Sequence, residues 1–258
     1  DPSAHFYKAL MLDKKGEPIH RRNAQDIVTP VYTRVIGPGT ADVAHFSFLV
    51  PESYLGQNLT IKARLLWRKF DRNYTEFSYN KAPQGFRRFN DVPDLPVTEI
   101  ASSQIKLSVG SQYSVSKPAL HEDWVRFNDY GIGLLLQGDT QGAALAFEMV
   151  KNLAPDRQDG FRNLARVALR DGNLKNAYSY LDSCEALKPG DAQTAWVWGV
   201  VLQEDGQYQQ AAVAYRRVLE DFPEDRASWR NLGRVLYLDS EFESALDALE
   251  SALSIDPE

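Results

Sequence analysis

A 34-residue period dominates the C-terminal half of this chain. Pro155, Pro189, Pro223 and Pro257 recur at that spacing, and Ala143, Ala177, Ala211 and Ala245 recur in phase with them. Gly131, Ala165, Gly199 and Gly233 form a third column; Phe127, Phe161 and Trp229 form a fourth, interrupted at Ala195. Four residues after each alanine stands a bulky one: Phe147, Leu181, Tyr215 or Leu249. The columns have a packing logic. Small residues let two antiparallel helices of one unit touch, bulky ones fill the gap to the next unit, and proline ends the second helix. The segments Gln137-Gly138-Asp139, Arg170-Asp171-Gly172-Asn173, Glu204-Asp205-Gly206 and Leu238-Asp239-Ser240 read as polar turns between apolar helices.

Four columns in phase resemble the tetratricopeptide repeat (TPR), a helix–turn–helix unit of this length. The resemblance implies an all-α solenoid of four repeats, 124–157, 158–191, 192–225 and 226–258. In such a solenoid the first helices of successive repeats line a concave face where partners bind. The positions expected on that face are Asn128 and Ile132, Arg162 and Arg166, Trp196 and Val200, and Arg230 and Arg234, with Tyr237 one turn further on. An arginine-and-aromatic groove in an acidic array suits an extended peptide carrying carboxylates. It resembles the carboxylate clamp of chaperone-binding TPR domains only loosely, because Arg stands where Lys and Asn are expected. Arg162/Arg166 and Arg230/Arg234 also lie four apart on one helix, as in a solvated basic stripe.

Ahead of the repeats the period becomes two. Residues 5–12, 31–36, 43–50, 59–70, 74–79 and 105–109 read as short strands separated by turn signals such as Asp13-Lys14-Lys15-Gly16 and Gly37-Pro38-Gly39-Thr40. The expected architecture is a two-domain α+β chain: an N-terminal antiparallel β-sandwich over 1–110, a Ser- and Pro-containing linker over 111–123, and the repeats over 124–258.

The N-terminal part carries a second resemblance. Val35-Ile36-Gly37-Pro38-Gly39-Thr40-Ala41-Asp42-Val43, Phe48-Leu49-Val50-Pro51 and Asp94-Leu95-Pro96-Val97-Thr98-Glu99-Ile100-Ala101 are similar to the β-rich segment ahead of the repeats in bacterial TPR-containing multihaem c-type cytochromes. That resemblance implies an exported, extracytoplasmic bacterial protein. The haem does not follow: attachment needs Cys-x-x-Cys-His, and the chain has one cysteine, Cys184. The start Asp1-Pro2-Ser3 reads as a mature or trimmed chain, and the scaffold as either haem-free or part of a longer haem-bearing protein.

Nothing in the sequence assembles chemistry. One cysteine excludes an internal disulfide, and its place in an apolar column beside Val150 and Val218 makes it a buried thiol. His5, His20, His45 and His121 have no metal-ligand spacing, and phosphate-loop, nucleophile-elbow and zincin motifs are absent. The expectation is a non-enzyme with no cofactor and no metal. No apolar run reaches membrane-helix length. Asn58-Leu59-Thr60 and Asn73-Tyr74-Thr75 match the glycosylation acceptor pattern without deciding whether either is used.

Charge is split along the chain. Residues 1–120 carry 16 Lys and Arg against 11 Asp and Glu, residues 121–258 carry 13 against 24, and the whole has a net charge of −6. Nucleic acid is not the expected partner of so acidic a chain. Two partner readings stand. In the first, copies of the chain assemble as an extracellular, filament-type structural subunit. Its contacts are the two-faced apolar strand with Phe6, Leu10 and Leu12 and the uncapped last helix with Phe242, Leu246 and Leu249. In the second, a monomeric adaptor binds an acidic peptide or a multihaem cytochrome through Asn128, Arg162, Arg166, Trp196, Arg230, Arg234 and Tyr237.

Overall fold

The computed structural model describes residues 4–19, 23–80, 91–92, 94–110 and 121–256. It divides into two compact units, one of Asp1–Ile36 with Ala44–Lys117 and one of Gly37–Val43 with Pro118–Glu258.

In the first unit, β1 (Ala9–Leu12) pairs antiparallel with β2 (Thr29–Thr33), and β3 (Asn58–Trp67) pairs antiparallel with β4 (Thr98–Ser108). The β3–β4 register sets Leu59 opposite Leu107 and Ile61 opposite Ile105 on one face, with Lys62 opposite Gln104 and Arg64 opposite Ser102 on the other. Such cross-strand pairs are the stabilising unit of an antiparallel sheet. They are not a core: no described residue of this unit is buried.

The expected β-sandwich is therefore replaced, among the described residues, by two separate two-stranded sheets. Two expected strands differ outright. Residues 44–50 alternate Ala44, Phe46, Phe48 and Val50 yet belong to no ladder, and Leu49 is 94% exposed. Alternation assigns side chains to faces, but a strand also needs a neighbour for its N–H and C=O groups. Residues 74–79 lie in a helix, α1 (Arg72–Asn80). Asp71 caps it by accepting from the Tyr74 amide at 2.6 Å, and Arg72 pairs with Glu76 one turn on at 2.7 Å. Part of the expected irregular stretch 86–96 and most of the expected linker 111–123 lie outside the described residues.

The second unit contains four helical hairpins: α2 (Trp124–Gln137) with α3 (Thr140–Leu153), α4 (Gln158–Arg170) with α5 (Leu174–Leu187), α6 (Ala192–Glu204) with α7 (Tyr208–Asp221), and α8 (Arg226–Leu238) with α9 (Phe242–Ile255). Asp139, Asn173, Asp191 and Asp225 cap α3, α5, α6 and α8 by accepting from the amide three residues on. The small-residue column is explained atom by atom. A Cβ on Gly131 would lie 2.6 Å from the Phe147 ring, and one on Gly199 would lie 2.6 Å from the Tyr215 ring. Ala143, Phe147, Ala177, Leu181, Ala211 and Tyr215 are all fully enclosed.

The two ends of the array differ. At the first, Val43 packs against the cluster of Leu134, Phe147, Val150, Leu164 and Val167. Its side chain occupies the space a Cβ on Gly133 would need, at 2.8 Å, and Gln137 Nε2 donates to both Asp42 Oδ1 and the Val43 carbonyl at 2.6 Å. The equivalents of Gly133 in later repeats are Val167, Val201 and Val235, all buried. The Gly37–Val43 segment thus closes the first repeat in place of a preceding one. At the other end Phe242, Leu246 and Leu253 of α9 are 56–60% exposed.

Candidate functional site

The face expected to be concave is carried by the first helices of the repeats, of which α2 touches α4 and α4 touches α6. Along it runs a ladder of side chains. Asn163 Nδ2 donates to Asn128 Oδ1 at 2.8 Å, and Asn163 Oδ1 accepts from Arg166 Nη1 at 3.0 Å. The Arg166 guanidinium then lies 6.0 Å from the centre of the Trp196 ring, at the limit of a cation–π contact. Arg166 has no carboxylate partner among the described residues. Its pKa is lowered from the ordinary arginine value, first by burial and then by the neighbouring positive charge of Arg162. It remains a cation, partly stripped of water and without a counterion among the described residues.

Arg162 is placed differently. It is buried and held by Asp159 at 3.2 Å and Asp191 at 3.3 Å, so its charge ties α4 to the start of α6. Burial alone would raise the Asp191 pKa. Hydrogen bonds from Lys188 and the Thr194 amide, with the charges of Lys188 and Arg162, outweigh that and hold it below the usual Asp value. A buried pair whose lone pairs are all engaged is a brace rather than a ligand site. Arg230 and Arg234 are exposed on α8 and enter no ion pair among the described residues. Tyr237, at the end of the same helix, packs edge-on against Phe242 with ring centres 5.6 Å apart.

The structure therefore brings Asn128, Arg166 and Trp196 together, leaves Arg230 and Arg234 as a solvated pair, and sets Tyr237 beside α9. Of the residues proposed for assembly, Leu10 and Leu12 lie in β1, opposite Tyr32 and Thr29 of the same chain, and Phe6 is exposed outside the strand. Phe242, Leu246 and Leu249 form a stripe on α9, and Leu249 also meets Gly233 across the hairpin.

A pocket of about 790 Å³ opens beside the ladder, lined by Arg166, Trp196, Val218, Phe222, Pro223 and Glu224 among others. Sequence reasoning missed Asn163 and the Phe222–Glu224 wall. A signal was available for the second: the residue before each repeat's proline is Ala154, Lys188, Phe222 or Asp256, so only the third repeat has a bulky apolar group there.

No group of three or more potential metal ligands occurs among the described residues. Cys184 is fully buried, and burial pushes its thiol up to about 11. Tyr215 is likewise enclosed, and burial raises its phenol to about 12, so both side chains stay neutral and pack. No helix among the described residues is long and apolar enough to cross a membrane.

Residues 197–258 match the tetratricopeptide-repeat family. Among curated proteins, the BBSome complex member bbs-4 of Caenorhabditis elegans is 27% identical over 120 residues; the match spans 46% of this chain and only 26% of the worm protein. Among solved structures, pilF of Pseudomonas aeruginosa aligns with a TM-score of 0.50 at 22% identity, over 53% of this chain and 62% of its own. MamA of Desulfovibrio magneticus aligns at 0.48 and 19% identity, over 54% of this chain and 78% of that one. The pilF likeness shows a shared fold. The family match and the four hairpins support a TPR scaffold in the helical region.

Proposed function

We propose that this chain is a non-enzymatic adaptor that holds an extended, acidic segment of a partner protein in the concave groove of its repeats. The observation that carries the reading is Arg166: a desolvated guanidinium, positioned by Asn163 and Trp196, with no carboxylate of its own. Such a group favours an incoming anion, because a charge-assisted hydrogen bond there replaces hydration already lost. Asn128, partly exposed and held by the buried Asn163, adds an amide group that matches an extended backbone.

The test is selection of displayed random peptides on the full chain, followed by affinities for the synthetic winners. Selected peptides are expected to be rich in Asp and Glu and to bind more weakly at higher salt. Arg166→Glu should lower their affinity tenfold or more, about 1.4 kcal/mol. Selected peptides that bind the variant unchanged would remove the proposal.

A second reading, assembly of copies through the array end, is favoured by the exposed stripe Phe242, Leu246, Leu249 and Leu253 on α9. Sedimentation and electron microscopy of the wild type against Leu246→Asp/Leu253→Asp decide it; loss of large species in the variant supports it, and monomers in both end it. Extracytoplasmic location and a cytochrome partner rest on the short N-terminal motifs. Fractionation of the native host tests the first and co-purification with c-type haem the second.

A further inference from the structure

The pocket beside Arg166 has a charge pattern the acidic-segment reading does not use. Three carboxylates line it, and two are engaged within the chain. Asp221 pairs with Arg217 at 3.0 Å, and Asp225 accepts from the Ser228 amide at 3.1 Å to cap α8. Glu224, exposed in the turn between α7 and α8, has neither an ion pair nor a hydrogen bond among the described residues. The same pocket that carries the cation of α4 and this carboxylate is lined by apolar surface: Trp196, Val218, Phe222 and Pro223. Trp196 packs against the apolar clusters on both sides of α6, which places it between them. Phe222 remains 54% exposed although it lines a concavity. Trp229 Nε1 donates to the Pro223 carbonyl at 2.8 Å, anchoring the turn that carries Phe222 and Glu224.

We infer that this pocket takes one aromatic side chain of the bound peptide, flanked by an acidic residue at Arg166 and a basic residue at Glu224. The inference rests on the groove reading above and adds the anchor and the order of charges. Its warrant is complementarity. An aromatic ring gains most from a concave apolar site, and burying it shields the two flanking ion pairs from water. An acidic segment without an aromatic group would leave the apolar wall wet. One without a cation would face Glu224, Asp221 and Asp225 with like charge.

The experiment uses the full chain and fluorescein-labelled peptides followed by anisotropy. The parent is Gly-Ser-Asp-Gly-Trp-Gly-Lys-Ser-Gly, compared with versions in which Trp becomes Ala, Lys becomes Glu, or Asp becomes Lys. Trp to Ala should weaken binding at least tenfold on the wild type and less than twofold on Phe222→Ala. Glu224→Lys should weaken the parent and restore the Lys-to-Glu peptide, a rescue that misfolding cannot produce. Circular dichroism checks that the exposed Phe222 is dispensable for the fold.

Equal affinity for the parent and the Trp-to-Ala peptide, or no rescue by Glu224→Lys, overturns the inference. If the peptide's Asp still matters and Arg166→Glu still abolishes binding, the groove reading survives that result. If Arg166→Glu leaves every peptide unaffected, or none binds, both fall.

Discussion

The β3–β4 strand pair and the helical array solve the same problem with opposite results. Both have a periodic apolar face. The strand pair sets Leu59, Ile61 and Leu65 opposite Leu107, Ile105 and Ala101, yet none of its described residues is buried. The array sets Phe147, Leu181 and Tyr215 under Gly131, Ala165 and Gly199 and encloses all three completely. A helical repeat contains its own complement, since the second helix covers the first and the next repeat covers both. A two-stranded sheet covers nothing by itself and is marginal in water. The lesson is that periodicity selects a face, while stability depends on what lies against it.

Reactivity should separate the two regions most widely. Cys184 is enclosed and its thiol is raised to about 11, so it labels only when the array opens. With iodoacetamide at pH 8 it should react at least about a thousandfold more slowly than in urea. A cysteine at Ser102, exposed on β4, should label at close to the unfolded rate. Rapid labelling of Cys184 in the folded chain breaks the comparison from the array side.

Core truncation comes next. Phe147→Ala should cost about 3–5 kcal/mol in urea unfolding, as buried Phe deletions do. Leu65→Ala, at a residue 40% exposed in β3, should cost under about 1 kcal/mol. Equal losses would mean that the strand pair has cover of the same quality.

Val43 sharpens the comparison, because it lies among N-terminal residues but packs with the array. Val43→Asp should destabilise the helical transition by about 1–3 kcal/mol, the cost of a poorly solvated polar group in an apolar cluster. The neighbouring Phe46→Asp, at an exposed position, should leave the transition within about 0.5 kcal/mol. A silent Val43→Asp would remove the cap from the account.

The smallest expected effect is at a turn. Gly138, Gly172 and Gly206 hold positive φ between the helices of the first three hairpins, and Ser240 holds φ 66° in the fourth. A left-handed backbone strains any residue with a Cβ. Ser240→Gly should therefore raise the midpoint of thermal unfolding, by about 0.5–1 kcal/mol of stability. A lower midpoint would place the strain elsewhere.

Much of the array was legible because its rules are local and repeated. The columns at Ala143, Gly131, Phe147 and Pro155 specify a helix pair without knowledge of distant residues, and each later repeat restates them. Helix α1 was also legible in principle, from Asp71 before Tyr74 and Arg72 four before Glu76. The aromatic residues Tyr74, Phe77 and Tyr79 masked it. In the candidate site, the face of α4 was readable but the fates of its two arginines were not. Arg162 and Arg166 occupy equivalent-looking positions one turn apart. Asp159 one turn back and Asp191 from the start of α6 make one a buried brace, while the other has no counterion among the described residues.

The sequence by itself determined the repeat, its helix pairs, their turns and the column of small residues, because each follows from spacing within about forty residues. The tertiary structure alone decided which residues have company. It brought Val43 to the bare Gly133, set Phe222 and Glu224 in one pocket with Arg166, and left no described residue of the β3–β4 pair buried. The physical reason is that covering a face or pairing a charge requires a second group brought from elsewhere in the chain. One-dimensional spacing does not encode where that group comes from.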